Sequence, residues 1–269
     1  MRIRTGVFGL DELIGGGFVN NTVNAILGTT GCGKTIFSLQ YIVEGLENGD
    51  CCVYISFDLD EEDFLRVAES FGWDLRKYIE EGLLNIRRFY AESVSYLNSD
   101  VLSYISDISK RCKVLRIVID SFTPFVASFD YSARSEVGWF FKNLREAGTS
   151  LITLEEPFDG SLSEPNMTIP LFLSDTVIHL KNIGYGEIFN RTLRIVKHRY
   201  SWHAEGVFPY QIVEGAGIVI ENKRCNGFDA KDVVKNLKIS EIAKKKLLKL
   251  ASDGIITKDD LEKIAKRLT

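Results

Sequence analysis

The chain has 269 residues, a formal net charge of -4 and a hydrophobic fraction of 45%, which predict one large α/β domain with an appendage. No apolar run approaches the roughly 18 residues that cross a bilayer, and no secretory pattern opens the sequence, so we expect a cytoplasmic protein without a membrane span. Residues 1–228 carry a net charge of -8, whereas residues 229–269 carry +4. Because the larger part is acidic, we do not expect nucleic acid as a partner.

The five cysteines are scattered along the chain, and their number is odd. They show no C-x-x-C spacing, so the sequence predicts neither a disulfide framework nor a zinc site. Each of them lies in or beside an apolar segment or a glycine-rich loop, which indicates buried and reduced thiols. The residues concerned are Cys32, Cys51, Cys52, Cys112 and Cys225.

A complete phosphate-binding loop lies near the start of the chain. Residues 28–35 match the pattern G-x-x-x-x-G-K-[ST], in which backbone N–H groups surround phosphate oxygens. Residues 22–27 predict a buried strand before the loop, and residues 36–48 predict a helix after it, whose positive N-terminus would face the phosphates. This context favours a nucleotide site over a glycine-rich turn with a surface lysine. The predicted nucleotide-binding residues are Gly28, Thr29, Thr30, Gly31, Cys32, Gly33, Lys34, Thr35 and Ile36.

Strands and helices then alternate, as in a largely parallel, doubly wound sheet. The segment at 156–174 is expected to be irregular, because it contains three prolines and a glycine. After residue 186 the strands are closely spaced, which predicts an antiparallel extension of the sheet. The predicted strands are 52–57, 84–87, 115–120, 150–154, 176–180, 190–198, 207–213 and 217–221, and the predicted helices are 60–71, 99–111 and 132–147.

The predicted strand at 115–120 ends in a carboxylate, Asp120, which is followed by the small polar Ser121. A carboxylate at the end of a neighbouring strand can hold the water shell of a nucleotide-bound magnesium ion. Since the phosphate loop is present, we predict a Mg²⁺ site formed by Asp120 and Thr35. The alternative is an aspartate that only begins a turn.

Three further segments resemble KaiC-type ATPases of the RecA superfamily. Residues 5–17 resemble the family's entry segment T-G-x-x-G-L-D-x-L-x-G-G-G, and residues 68–75 resemble another stretch typical of KaiC-like proteins. Residues 194–199, with His203 beyond them, are similar to the family's K-x-R-x-x-x-H segment. The resemblance covers about residues 1–221. It implies an α/β RecA-type P-loop core with a mostly parallel central sheet, and ATP with Mg²⁺ as ligands.

The resemblance also implies a homo-oligomeric ring, commonly a hexamer, with ATP between subunits. In such rings the K-x-R strand faces the γ-phosphate of the neighbouring subunit, a role that falls here on Lys197 and Arg199. Residues i and i+2 of a strand project to one face, so the two cations can act together on transition-state charge. The alternative is a pair of solvent-facing cations on an exposed strand.

One departure from the family concerns the acid that orients the attacking water. KaiC-like enzymes usually carry two adjacent glutamates after the second strand, whereas this chain has Asp58 and Leu59. Aspartate is one methylene shorter, and a displacement of about 1 Å can cost on the order of 100-fold in rate. We therefore expect slow hydrolysis. The predicted catalytic residues are Asp58, Lys34, Lys197 and Arg199.

Several alternatives remain open at this point. If Asp58 does not orient the water, Glu155 or Asp60 is the next candidate, although Asp60 is expected to begin a helix. A nucleotide-gated scaffold with little turnover, like components of the archaellum motor, is a second function. A DNA recombination accessory like the RadA paralogues is a third, but residues 125–170 lack interleaved basic and aromatic side chains. No motif distinguishes ATP from GTP.

Residues 229–269 predict a helical tail beyond an ATPase domain at 1–228. Thr257 and Asp260 form a capping-box pattern, and Asp253 with Gly254 is expected to end the preceding helix. Residues 247–268 resemble the short helical modules called SHOCT, which act as interaction or assembly elements, so a client protein of unknown identity is expected to bind here. The alternative is a two-helix lid on its own core. The expected apolar face consists of Ile242, Leu247, Leu250, Ile255, Leu261, Ile264 and Leu268.

Overall fold

A central β-sheet organises the chain. The computed structural model describes residues 1–90, 96–126, 131–157, 160–182 and 191–268. The strands in these ranges are β1 (Arg2–Ile3), β2 (Phe18–Val19), β3 (Val23–Gly28), β4 (Cys51–Ser56), β5 (Leu84–Arg88), β6 (Leu115–Asp120), β7 (Thr149–Glu155), β8 (Thr176–Asn182), β9 (Arg191–His198), β10 (Phe208–Val213) and β11 (Gly217–Ile220). Strands β3 to β11 form the main sheet, in the spatial order β11-β10-β9-β8-β3-β7-β6-β4-β5, and β1 pairs with β2 separately.

The helices lie between the strands and at the end of the chain. They are α1 (Leu10–Leu13), α2 (Lys34–Glu47), α3 (Glu61–Ser70), α4 (Arg76–Glu80), α5 (Leu102–Ser109), α6 (Thr123–Val126), α7 (Arg134–Ala147), α8 (Pro165–Leu173), α9 (Lys231–Lys235), α10 (Glu241–Ser252) and α11 (Lys258–Arg267). A π-helical turn (Leu97–Val101) precedes α5. In the described part of the chain, none of these helices is both long and apolar enough to cross a membrane.

The pairing of the strands confirms the expected architecture. Strands β8, β3, β7, β6, β4 and β5 pair in parallel, and β8, β9, β10 and β11 pair in antiparallel fashion. Parallel strands need crossover connections, which α2, α3, α5, α7 and α8 supply. The predicted α/β class with an antiparallel extension is therefore confirmed.

Helices cover both faces of the sheet, and the alternation of side chains along each strand builds two separate apolar layers. On β3, for example, Ile26 packs into one layer while Ala25 and Leu27 pack into the other. Successive residues of a strand point to opposite faces, so a strand buried on both faces has a nearly continuous apolar sequence. This is why the central strands could be located in the sequence.

The segment predicted to be irregular at 156–174 contains a helix, α8, so that prediction was wrong over 165–173. Pro165 occupies the first helical position, where its missing N–H is not needed. Pro170 lies inside the helix, and the Pro170 carbonyl accepts the Ser174 N–H at 3.0 Å. Residues 127–130 and 158–159, and residue 190 of the strand predicted at 190–198, lie outside the described residues.

The tail contains three helices, α9 to α11, and not the two expected. The predicted capping box at Thr257 and Asp260 is confirmed, and α10 ends at Ser252 before Asp253 and Gly254. Ile242 is 71% exposed, so its assignment to the apolar face was wrong. The other predicted face residues pack with Phe8, Val213 and Val219 of the core, which agrees with a lid on its own core.

The expectation that all five cysteines are reduced was also wrong. Cys51, at the start of β4, forms a disulfide with Cys112, which follows α5. The two lie 61 residues apart in sequence, and the pairing of β4 with β6, which sets Cys51 opposite Leu115, brings them together. Cys32, Cys52 and Cys225 are free thiols, and burial raises the pKa of Cys52 to about 12.

Candidate functional site

The phosphate-binding loop opens into a cleft of about 650 Å³ at the carboxyl ends of the parallel strands. Ligands of open α/β sheets bind at this edge, because the loops and helix N-termini converge there. The cleft is lined by Thr30, Gly31, Gly33, Lys34, Thr35, Ile36, Asp58, Asp120, Ser121, Glu155, Arg191 and Ile212.

The backbone of the loop needs its glycines. Gly31 and Gly33 have φ angles of 78° and 101°, in the left-handed region that favours glycine. A Cβ on Gly28 would lie 2.5 Å from the Leu180 carbonyl oxygen, so only glycine permits this approach of β3 to β8. Helix α2 then begins at Lys34, and no side chain caps its first turn. Its free N–H groups are donors that suit an anion.

Lys34 lies under the loop and is largely buried. Its ammonium group donates hydrogen bonds to the carbonyl oxygens of Gly28 at 2.9 Å and Thr29 at 3.2 Å. A carboxylate oxygen of Glu155 lies 3.5 Å from the same nitrogen. The charge of Lys34 is therefore held at the mouth of the loop, among the other residues that line the cleft.

Asp120 ends β6 and is held from two sides. Its Oδ1 accepts a hydrogen bond from the Thr153 hydroxyl at 2.6 Å, and its Oδ2 accepts one from the Tyr54 hydroxyl at 2.8 Å. Burial and the Asp120 carboxylate both raise the pKa of Tyr54, so its proton stays available for this bond. The carboxylate is thus fixed at the cleft, with its charge close to the N-terminus of α2.

Three predicted loop residues build the loop and do not line the cleft. Gly28 belongs to β3, and Cys32 is fully buried, with its carbonyl accepting the Tyr210 hydroxyl. The Thr29 hydroxyl is buried and has no hydrogen-bond partner in the described part of the chain. The other predicted residues, Thr30, Gly31, Gly33, Lys34, Thr35 and Ile36, all line the cleft.

Of the candidate acids, the structure brings Asp58 and Glu155 to the cleft and places Asp60 elsewhere. Asp58 is exposed, and its N–H donates to the Ser56 hydroxyl at 3.2 Å. Asp60 is the N-cap of α3, where it accepts the Asp63 N–H at 2.9 Å. Its function as a helix cap agrees with the sequence interpretation.

Lys197 and Arg199 lie together, far from the loop of their own chain. Both donate to the Phe172 carbonyl at the end of α8, at 2.9 and 3.2 Å, and Arg199 also lies 3.6 Å from Asp175. Arg199 is just beyond the end of β9. Burial and the charge of Arg199 lower the pKa of Lys197 to about 8. As expected, the side chains of Lys197 and Arg199 extend in the same direction, since both reach the Phe172 carbonyl.

These cations occupy the opposite end of the sheet from the phosphate loop. Thr176 pairs with His198 beside the start of β3, whereas Gly28 ends β3. Six residues of strand span about 17 Å. Neither Lys197 nor Arg199 lines the cleft of its own chain.

Ser121, Arg191 and Ile212 also line the cleft, although sequence reasoning did not identify them. Ser121 directly follows Asp120, so its place next to the predicted Mg²⁺ ligand could have indicated that it lines the cleft. Arg191 begins β9, and its Nε is buried without a hydrogen-bond partner among the described residues. Ile212 comes from β10, and only the strand order brings it beside Gly33.

The donors in the cleft fit a magnesium-bound phosphate chain better than a resident metal. In the described residues, no group of three or more His, Cys, Asp or Glu side chains could hold a metal ion. Mg²⁺ is commonly bound through one or two protein ligands, substrate phosphates and water. The uncapped start of α2, the Lys34 ammonium, the Thr35 hydroxyl and the Asp120 carboxylate supply that combination.

The chain is similar to known proteins over most of its length. A family model described as "ATPase: KaiC" matches residues 3–224. The circadian clock oscillator protein KaiC of Prochlorococcus marinus is 32% identical over 228 residues, which is 81% of this chain and 45% of that protein. The KaiC of Synechococcus elongatus is 29% identical over 222 residues, 79% of this chain and 43% of that protein.

A solved structure supports the same relationship. The crystal structure of a KaiC-like protein from the hyperthermophilic archaeon Pyrococcus horikoshii matches with a TM-score of 0.69 and 30% identity. The match covers 82% of this chain and 99% of the Pyrococcus chain. The chain spans less than half the length of the curated relatives it matches. On this combined evidence, the chain belongs to the KaiC family of ATPases.

Proposed function

We propose that this chain binds Mg-ATP in the cleft and hydrolyses it slowly. The observation that carries the proposal is the convergence of Lys34, Thr35 and Asp120 on the uncapped N-terminus of α2. Lys34 and the N–H groups would hold the phosphates, and Thr35 and Asp120 would hold Mg²⁺ and its water. A bound Mg²⁺ would neutralise phosphate charge. ATP remains the proposed nucleotide, and a competition assay with GTP tests that choice.

The binding test is Lys34→Ala, which removes the cation held at the mouth of the loop. Titration calorimetry with Mg-ATP should detect no binding by this variant, while its unfolding midpoint stays close to that of the wild type. Lys142→Ala is the control, because Lys142 is 73% exposed on α7 and outside the cleft. Unchanged affinity in Lys34→Ala would contradict the site assignment.

Slow turnover follows from the acid at position 58. Asp58 lines the cleft, but it is short, and Leu59 supplies no second carboxylate. Turnover should lie below the usual median of about 10 s⁻¹ for enzymes. Asp58→Asn should remove most of the turnover without weakening ATP binding, and Asp58→Glu should raise it. If Asp58→Asn hydrolyses ATP as fast as the wild type, the role of Asp58 is wrong.

We further propose a homo-oligomeric ring, in the form of a hexamer, with ATP between subunits. The supporting observation is that Lys197 and Arg199 lie about one strand length from their own loop, so they can reach only a neighbour's phosphates. Exposed apolar side chains lie near these cations in the chain, at the end of α8 and within residues 196–207, as expected of a surface that another subunit covers. These are Phe172, Val196, Tyr200, Trp202 and Val207, with exposures of 64%, 51%, 73%, 66% and 60%.

Mass measurement with and without Mg-ATP tests the ring. Arg199→Ala should lower turnover without lowering monomer stability by more than a surface substitution does. In rings that mix Arg199→Ala with Lys34→Ala subunits, activity should reappear, because a Lys34→Ala subunit supplies its intact Arg199 to the intact phosphate loop of an Arg199→Ala neighbour. No recovery of activity in these mixed rings would mean that Arg199 acts within its own subunit.

The second candidate function is a nucleotide-gated scaffold with little turnover, which Leu59 favours. It becomes the better interpretation if the wild type binds ATP and assembles but shows no hydrolysis under any assembly condition. DNA recombination has less support. Arg145 is paired with the buried Asp175 at 2.8 Å, so it is not a free phosphate contact.

We also propose the division into an ATPase domain (1–228) and a helical tail (229–269), and a cytoplasmic location, where ATP is available. The tail's inner face packs on the core, which leaves its outer face for a client protein. That face carries the exposed Ile242, Lys245, Lys246 and Lys249 on α10. Cross-linking from Ile242→Cys should capture a client, and cross-linking from a cysteine on α7 should not.

A further inference from the structure

A second acid reaches the cleft from a strand that lies beside the phosphate loop. Strands β3, β7, β6 and β4 are consecutive in the sheet, and all four run in the same direction. Neighbouring strands lie about 4.8 Å apart. Glu155, at the end of β7, is therefore one strand from β3, whereas Asp58 follows β4 and is three strands away, or about 14 Å.

Glu155 contacts the loop directly. Its Oε1 lies 3.5 Å from the Lys34 ammonium nitrogen, and it accepts a hydrogen bond from the Thr30 hydroxyl at 3.4 Å. Its side chain is 49% exposed, whereas that of Lys34 is 9% exposed. The carboxylate thus faces the open side of the cleft, next to the cation that the proposed function assigns to the phosphates.

The backbone of Glu155 is fixed relative to the metal-binding strand. Its N–H donates to the Thr123 hydroxyl oxygen at 2.8 Å, and the same oxygen accepts the Ser121 hydroxyl at 2.9 Å. Ser121 follows Asp120, so Glu155 and Asp120 are held by one network. This network fixes the backbone from which the Glu155 side chain extends into the cleft.

The adjacent acid shows that this placement is specific to Glu155. Glu156 points away from the cleft and lies 2.8 Å from His179 and 3.6 Å from Lys181. Its side chain is 5% exposed, so its charge is already paired inside the protein. Of the two neighbouring glutamates, Glu155 alone lines the cleft.

We propose that Glu155 supplies the second carboxylate of the hydrolytic site, in place of the acid missing at Leu59, and that it orients the attacking water together with Asp58. The inference rests on the proposed ATP hydrolysis. The water oxygen forms a bond to the γ-phosphorus while the bond to the β,γ-bridging oxygen breaks. ADP leaves with that electron pair, and Glu155 accepts the water proton and passes it to the phosphate product.

A carboxylate in this position has a signature that a structural residue lacks. It repels the phosphates in the bound state, so its removal should strengthen ATP binding while it slows the reaction. Glu155→Gln keeps the shape and removes the charge. We expect a Kd for Mg-ATP that is on the order of fivefold lower and a turnover that is on the order of 100-fold lower. Glu155→Asp should recover part of the turnover.

The experiment measures Mg-ATP affinity and single-turnover hydrolysis for the wild type, Glu155→Gln, Glu155→Asp and Asp60→Asn. Asp60→Asn is the matched control, because it removes a carboxylate that does not line the cleft and keeps a residue that caps α3 well. Tighter binding with slower hydrolysis in Glu155→Gln, beside an unchanged Asp60→Asn, supports the proposal.

Two results would overturn it. If Glu155→Gln hydrolyses ATP at the wild-type rate, Glu155 takes no part in the reaction. If the variant loses affinity, turnover and unfolding midpoint together, Glu155 has a structural role. In both cases the ATP-binding proposal stands, because wild-type binding and its loss in Lys34→Ala are measured separately. Failure of the wild type to bind ATP would overturn both proposals together.

Discussion

A buried ion-pair cluster holds the last helix, α11, against α2, the helix that follows the phosphate loop. Arg267 donates through Nε and Nη2 to the two carboxylate oxygens of Glu47 at 2.8 and 3.0 Å, and its Nη2 lies 3.3 Å from Glu44. The side chains of Arg267 and Glu44 are 2% exposed, and that of Glu47 is 16% exposed. The guanidinium also lies over the rings of Phe8 and Trp73, 5.7 and 5.9 Å from their centres.

Arg267→Ala should therefore destabilise the protein strongly. The substitution leaves the Glu47 carboxylate without this partner and leaves Glu44 with Lys263 alone. Removal of one partner from a buried ion pair costs about 3–5 kcal/mol, because the remaining charge stays buried without compensation. Since Arg267 is almost fully buried, we expect a loss of that size in the free energy of unfolding.

Urea unfolding followed by tryptophan fluorescence measures this loss. Lys246→Ala, on the exposed face of α10, is the control and should change stability by less than about 0.5 kcal/mol. The double variant Arg267→Met with Glu47→Gln should recover part of the loss, because it removes the uncompensated charge. If Arg267→Ala lowers the free energy of unfolding by less than about 1 kcal/mol, the ion-pair cluster does not hold α11 against α2.

Three further predictions concern pH, the loop and the disulfide. Burial by itself would raise the pKa of Glu44, but its basic partners outweigh burial and lower that pKa. The ionised Glu44 therefore stabilises the fold above the ordinary pKa of 4.5, and this contribution is lost at lower pH. Glu44→Gln should flatten the profile of stability against pH in that acid range. Gly28→Ala would place its Cβ 2.5 Å from a β8 carbonyl oxygen and should lower both stability and ATP affinity, whereas Gly138→Ala on α7, with nothing within 4 Å, should not. Reduction of the bridge between Cys51 and Cys112, 61 residues apart, should lower the free energy of unfolding by about 4 kcal/mol. The stability of a variant with serine at both positions should not respond to reductant. A wild-type protein whose stability is unchanged by reductant would contradict the bridge.

Elements with a strong local signal could be predicted from the sequence. The strands β3, β4 and β6 are short, mostly apolar runs, and their positions were correct to within one residue. Helix α8 was missed because proline normally ends helices, whereas here one proline starts the helix and the second is tolerated inside it. The Cys51–Cys112 bridge was missed because two distant cysteines carry no local sign of their pairing.

The tail shows a further limit of local reasoning. Its helical character and its capping box are local properties, so they followed from Thr257 and Asp260. Whether its apolar face meets a partner or its own core depends on Phe8, Val213 and Val219, which lie on distant segments. Ile242 fits the helical period of that face, yet it is exposed because the core does not extend to it.

The sequence by itself determined the phosphate loop and the membership of the KaiC family, because the loop is eight contiguous residues whose conformation depends on their own glycines. It also placed Asp120 at the end of a strand. Only the tertiary structure decided that Glu155 lies beside Lys34 and that Lys197 lies at the far end of the sheet. Those relations depend on the order and direction of strands that are distant in the chain, and no local pattern of residues encodes that order.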